Sequence, residues 1–204
     1  MADLLLYHAV PSRSATVRWM LEEVGEPYDI HLLKLAEGEQ HKPEYLAVNP
    51  QGKVPALRHT GVVITEVAAI CAYLADEFPK ARLNIPVGDP RRGAYFQWLF
   101  FGPSCIEPAI TDRAYPRKEA PRAGALGYRD IDALADLIAK ALAAGPYLMG
   151  EQFTAADVVI GAAVRWGMMF KLLPERPGFA DYAARLSQRP AVQRADAKDK
   201  ALAG

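Results

Sequence analysis

The chain has 204 residues, 51% of them apolar, with 24 basic side chains against 24 acidic ones. That length supports one large or two small domains with a real core. Balanced charge without a basic tail or block argues against nucleic acid or anionic membrane as a main partner, and apolar runs such as VVIGAAV (158–164) are far too short to span a bilayer.

The N-terminus, MADLLLYHAV, carries Asp3 where a signal peptide would want positive charge and has no cleavage-like site, so a cytoplasmic protein is expected. LLLYHAV (4–10) has the length and composition of a strand. Val17, Met20, Leu21 and Val24 come next at helical spacing with Gly25 as the stop, which predicts an amphipathic helix. YDIHLL (28–33) alternates as a strand does, and KPEYLAV (42–48) holds a turn or two of helix. VPALRH and VVIT, joined around Thr60–Gly61, read as a hairpin. Val67, Ile70, Cys71, Leu74 and Phe78 then share one helix face. The predicted order is β-α-β-α-β-β-α.

Between Pro79 and Pro90 the chain turns rich in proline, as a linker does, and the residues beyond Pro90 read as helical. A long helix from Arg91 is expected to kink at Gly102–Pro103, and residues 116–127 read as a loop or a frayed end. Ile131, Leu134, Ile138, Ala141 and Leu142 mark another amphipathic helix. In FTAADV, Thr154 and Asp157 have capping-box spacing and Phe153 and Val158 staple spacing, so the nearly all-apolar helix behind them should run through the second domain. Cys71 and Cys105 lie far apart, and the four histidines form no metal-binding pattern. A reducing compartment and no structural metal are expected.

One proline is out of place. Pro55 in NPQGKVPAL (49–57) interrupts an apolar run that otherwise opens a strand, where a residue without an N–H is poorly suited. Either it is a loop proline before a short hairpin, or the backbone ahead of it is left unpaired for something else to pair with.

NPQGKVPAL, ITEVAAICAYL, FTAAD and the closing YAARLSQRPAVQRA, in this order and spacing, together resemble the cytosolic glutathione S-transferase family along essentially the whole chain. The serines of HAVPSRSATVR make the resemblance closest to its bacterial, serine-type members. The resemblance implies a thioredoxin-like α/β N-terminal domain with a mixed four-stranded sheet (1–80) and an all-α C-terminal domain (87–204). It implies a cis bond before Pro55, turning the Val54 main chain outward to pair with the cysteinyl backbone of glutathione like an added strand. Glu66 would face the γ-glutamyl amine. The next residue, Val67, stands where the family usually has a serine, so one hydroxyl for the γ-glutamyl carboxylate is lost while the helix N-terminus remains. Lys53, with Gln40 or His41, would meet the glycyl carboxylate. A homodimer is implied as well.

The glutathione thiol needs a partner, because only the thiolate is a strong nucleophile. Lowering its pKa by two units takes about 2.7 kcal/mol of preferential thiolate stabilisation, which a hydroxyl and a helix N-terminus can supply. Ser12, directly after Pro11, is the first candidate, Ser14 the second and Tyr7 on the preceding strand the third. The absence of cysteine from this segment speaks against thiol transfer through a mixed disulfide. A small apolar electrophile would meet the first helix and the Tyr95–Phe101 region, with Trp166, Met168, Met169 and Phe170 as further candidates. The readings left open are conjugation, a peroxidase, disulfide reductase or isomerase using the same thiolate, and a ligand-binding protein without turnover.

Overall fold

The computed structural model describes residues 3–122 and 124–202. Four strands, β1 (Leu4–His8), β2 (Tyr28–Leu32), β3 (Ala56–His59) and β4 (Val62–Thr65), form one mixed sheet in the order β2-β1-β3-β4. Helix α1 (Ser14–Val24) carries the chain from β1 to β2, and a crossover of that kind makes the two strands parallel. Strand β3 runs antiparallel to both β1 and β4. Thr60 and Gly61, at φ 49° and 83°, make the two-residue turn between β3 and β4, whose positive dihedrals match the strand twist. A short helix α2 (Pro43–Leu46) and the longer α3 (Val67–Glu77) complete the thioredoxin-like arrangement, in the element order expected from the sequence.

The chain divides into two compact units, one reaching to Arg82 and resuming at Gln188, the other spanning Leu83–Ser187. The division after Arg82 falls within the proline-rich segment, but the sequence reading carried the helical domain to the end of the chain. Instead the last helix, α9 (Pro190–Leu202), belongs to the first unit, where it packs along α1. The reason is ionic: Glu23 pairs with Arg189, and Glu22, only 6% exposed, receives Arg194 and Lys198. Polar residues that read as a solvated surface in the sequence thus meet across a helix–helix seam.

The second unit contains α4 (Arg92–Phe101), α5 (Glu107–Ala114), α6 (Ile131–Leu142), α7 (Ala155–Met169) and α8 (Phe179–Ser187). Pro103 lies in a π turn (Gly102–Ile106) between α4 and α5, a wider coil that accommodates the missing N–H where a kink in one helix was expected. Residues 116–122 and 124–127 are not helical. Helix α7 is buried along most of its length, as its composition requires. Among the described residues, no helix is long and apolar enough to cross a membrane.

The start of α7 is held by Asp157, which is fully buried. Its carboxylate accepts the Thr154 and Leu148 N–H groups and the Tyr182 hydroxyl, each at 2.9 Å, and the Thr154 hydroxyl at 3.2 Å. Asp157→Ala takes the carboxylate from four buried donors, the N-cap residue's N–H among them, so a loss of about 3 kcal/mol or more is expected in urea unfolding. A loss under about 1 kcal/mol would mean that these bonds do not hold the helix.

A second prediction concerns pH. Burial pushes the Glu22 carboxyl up, but hydrogen bonds from Lys198, Tyr28 and Arg194 outweigh it and hold the group below its ordinary value of 4.5. A depressed native pKa gives stability that is present above the unfolded value and lost as pH falls through the native one. Glu22→Gln should therefore cost about 1–2 kcal/mol at neutral pH, between exposed and buried pairs because its partners are half exposed. The gap from wild type should close as pH falls below 4.5. Urea unfolding across pH checks this, and a gap that persists unchanged in acid assigns the loss to packing.

Candidate functional site

Three segments meet at one end of the sheet. The β1–β3 register pairs Tyr7 with Ala56; continued by two residues it sets Val54 beside Ala9, at the entrance to α1. Strand β4 ends opposite the start of β3, with Ala56 paired to Thr65, so Glu66 comes next at the same edge. The loops bearing Ser12, Val54 and Glu66, remote in sequence, thus share one edge because the strands between them are in register.

The Val54–Pro55 peptide is cis, and β3 begins only at Ala56, so Val54 lies outside the strand ladder. What holds this segment is the Lys53 carbonyl. It accepts the Tyr45 hydroxyl at 2.5 Å and the Asn49 amide at 2.7 Å. Burial pushes the Tyr45 phenol up to about 12, so it stays a neutral donor. Val54 packs its side chain on Tyr7, Leu33, Tyr45 and Ala56, which anchors the residue from behind. Gly52 has φ 62°, and a Cβ there would lie 2.9 Å from the Gln40 carbonyl and the His41 ring. Only glycine lets those two residues press against the loop. The Gln40 side-chain oxygen is buried without a hydrogen-bond partner, while His41 and Lys53 are exposed.

Glu66, just ahead of α3, is exposed and has φ 70° with ψ 121°. A non-glycine residue in this region is strained, and such strain gathers at binding and catalytic sites. Its carboxylate accepts a long bond, 3.5 Å, from the Gln51 amide, linking the loop before β3 to the start of α3. Val67 is the first residue of α3 and is half-buried.

The three hydroxyl candidates sit in different surroundings. Ser12 is half-buried before α1, its Oγ 2.7 Å from the Ala9 carbonyl, and it accepts the Ser14 N–H at 3.1 Å. Ser14 is fully buried, so its oxygen is out of direct reach of a ligand. Tyr7 is also buried, its ring 5.7 Å from Tyr45 and 5.3 Å from His31. Side chains alternate along a strand, so Tyr7 faces away from the serines while His8 faces them, its Nδ1 2.7 Å from Ser14 Oγ. Ser12 is thus the accessible hydroxyl of the three. Asp199 of α9 accepts from the other His8 nitrogen at 3.1 Å and from Arg18. Burial pushes the Asp199 carboxyl up, and these two partners outweigh that and hold it below its ordinary value.

Sequence reasoning passed over His8, Asp199, Tyr45 and Asn49. His8 and Asp199 are 191 residues apart, so no spacing connects them. Asn49, inside NPQGK, was the nearest to a signal, since a buried asparagine ahead of a glycine turn needs partners. In the second unit, Tyr95 and Leu99 are buried core, whereas Phe100, Trp166, Met169 and Phe170 are exposed.

Comparison with known proteins bears on the fold and the family. The family described as glutathione S-transferase, N-terminal domain, matches residues 12–77. Glutathione S-transferase GstA of Escherichia coli O157:H7 is 30% identical over 181 residues, covering 85% of this chain and 87% of that protein. A glutathione transferase homolog from Sulfitobacter, crystallised with bound glutathione, has a TM-score of 0.79 at 26% identity, covering 97% and 99% of the two chains. A glutathione transferase from Methylococcus capsulatus (strain Bath) has a TM-score of 0.75 at 30% identity, covering 97% and 98%. The chain belongs to the glutathione S-transferase family.

Proposed function

We propose that the protein is a glutathione transferase that activates the glutathione thiol for attack on small apolar electrophiles, transferring alkyl or aryl groups. The observation that carries this reading is the single sheet edge where an unladdered Val54, a strained Glu66 and a half-exposed Ser12 lie side by side. The Val54 main chain would pair with the cysteinyl backbone. Glu66 would take the γ-glutamyl amine, and the start of α3 at Val67 the γ-glutamyl carboxylate. Lys53, with Gln40 and His41 against Gly52, would take the glycyl carboxylate. Ser12 would donate to the thiolate. As the thiolate attacks, carbon–sulfur bond formation displaces the electrophile's leaving group, or adds across its activated double bond. Two unpaired cysteines suit a cytoplasmic setting. The exposed Val62 and Val63 on β4 are apolar surface of the kind a homodimer would cover.

If Ser12 donates mainly to the charged form, Ser12→Ala should raise the bound thiol pKa and lower kcat while leaving glutathione affinity, measured below that pKa, nearly unchanged. The expected loss is roughly 2–4 kcal/mol in the transition state, about thirtyfold to several hundredfold in rate. Thiolate absorbance against pH, with turnover of an aryl halide, measures both. An unchanged pKa would transfer the role to a backbone N–H.

Val67→Ser restores the missing hydroxyl. A hydrogen bond to a charged group is worth about 1.5–3 kcal/mol, so glutathione should bind about tenfold to a hundredfold tighter by calorimetry. No gain would place the γ-glutamyl carboxylate elsewhere. The absent hydroxyl also favours a second reading, a binding protein without turnover. Retention on glutathione resin with no activity toward aryl halides, hydroperoxides or disulfides would establish that reading instead.

A further inference from the structure

Ser12 ends a chain of buried polar groups. Asp199 Oδ1 lies 3.1 Å from His8 Nε2, His8 Nδ1 2.7 Å from Ser14 Oγ, and Ser14 Oγ 2.6 Å from Ser12 Oγ. His8 and Ser14 are fully buried, so the chain leads inward from a half-exposed hydroxyl to the carboxylate on α9. We propose, resting on the glutathione reading, that His8 and Asp199 are positioning residues: acting through Ser14, they decide whether the Ser12 hydroxyl hydrogen points inward or toward a bound thiolate.

Counting hydrogens supports this. Asp199, paired with Arg18, is ionised and only accepts, so His8 Nε2 carries a hydrogen in either charge state. One acceptor position of Ser14 Oγ is filled by the Ala9 N–H at 3.1 Å. With neutral His8, Nδ1 accepts the Ser14 hydrogen, and Ser14 in turn accepts the Ser12 hydrogen. Ser12 then shows only lone pairs to a ligand. With cationic His8, Nδ1–H fills the remaining acceptor position of Ser14, whose own hydrogen passes to Ser12 at 2.6 Å rather than to the Ala9 carbonyl at 3.2 Å. Ser12 already accepts the Ser14 N–H, so both its acceptor positions are now occupied. Its hydrogen goes to the Ala9 carbonyl, 2.7 Å away, or to a thiolate when one is bound.

Charges around His8 fit this role. Asp199 from α9 meets His8 Nε2 and the Arg18 guanidinium from α1 through the same carboxylate oxygen. The β2 partner of His8 is Leu32, and the buried face of α3 carries one titratable group, Cys71, whose thiol burial pushes far up and keeps neutral.

The test is a double-mutant cycle read by thiolate absorbance of bound glutathione against pH. Asp199→Asn keeps an acceptor for His8 but removes the charge that sustains the cation. The bound thiol pKa should rise by about one unit, with calorimetric affinity, measured at a pH below the bound thiol pKa, changed less than about twofold and the alkaline limb of kcat/KM moved to lower pH. Ser14→Ala cuts the link, so Asp199→Asn should then have no further effect on the thiol. An equal effect in both backgrounds, or none in wild type, overturns the proposal. Circular dichroism monitors α9, whose ion pairs to Glu22 and Glu23 do not involve Asp199; if Asp199→Asn unfolds, the ring shifts of His8 decide alone. Nitrogen-15 shifts of the His8 ring in the glutathione-free protein give an independent reading. A neutral form protonated on Nε2 supports the chain as drawn, and one protonated on Nδ1 overturns it. Failure of the wild type to bind glutathione would sink the functional reading alone, because the ring shifts still decide the direction of the chain.

Discussion

Two acidic side chains in the seam between α1 and α9 hold the first unit in working order. Glu22 receives Arg194 and Lys198, and Asp199 receives Arg18 and His8. Charges so far removed from water are tolerable only with their partners in place. Any slide of α9 along α1 would strand several at once, so the seam has essentially one register. That register sets Asp199 against His8, and through the serines it reaches the edge of the sheet. A helix near the end of the chain thereby acts on a loop near its beginning.

The sheet supplies the other constraint. Strand β1 turns Tyr7 toward Leu33, Tyr45 and Ala56, and His8 toward the polar chain, because neighbouring residues on a strand face opposite ways. The same strand aligns β3, so that Val54 comes level with Ala9 where the ladder stops. Tyr45 and Asn49 then clamp the Lys53 carbonyl. The clamp holds the segment ahead of Pro55 in place, with Val54 outside the ladder. Strain at Glu66 belongs to the same design, since a relaxed dihedral there would swing the start of α3 away from that edge.

The second unit shows a buried carboxylate used differently. Asp157 gathers four donors from Leu148, Thr154 and Tyr182, and its whole effect is to fix where α7 begins. Asp199 has fewer partners, and one is an imidazole that can exchange a proton. A carboxylate saturated with N–H and O–H donors locks structure. Asp199 instead joins α9 to α1 and to β1, through Arg18 and His8.

Much of this was legible in the sequence, because the signals were local. Periodicity marked α1, α3 and α6, Thr60–Gly61 marked the hairpin, Thr154 and Asp157 marked the start of α7, and Pro55 marked a backbone that does not join its ladder. Each depends on residues within a few positions of one another, where propensity and capping act. The partners of Ser12 were not legible. Ser12, Ser14 and Tyr7 were three hydroxyls in one short stretch until the pleat turned Tyr7 away and burial enclosed Ser14. His8 read as one isolated histidine among four, and α9 as the tail of a helical domain. Only folding brings residue 199 to residue 8 and gives buried charges their partners. Local sequence determined which segments would be helix, strand and turn; the tertiary structure decided which polar side chains lose water, and therefore which must find one another.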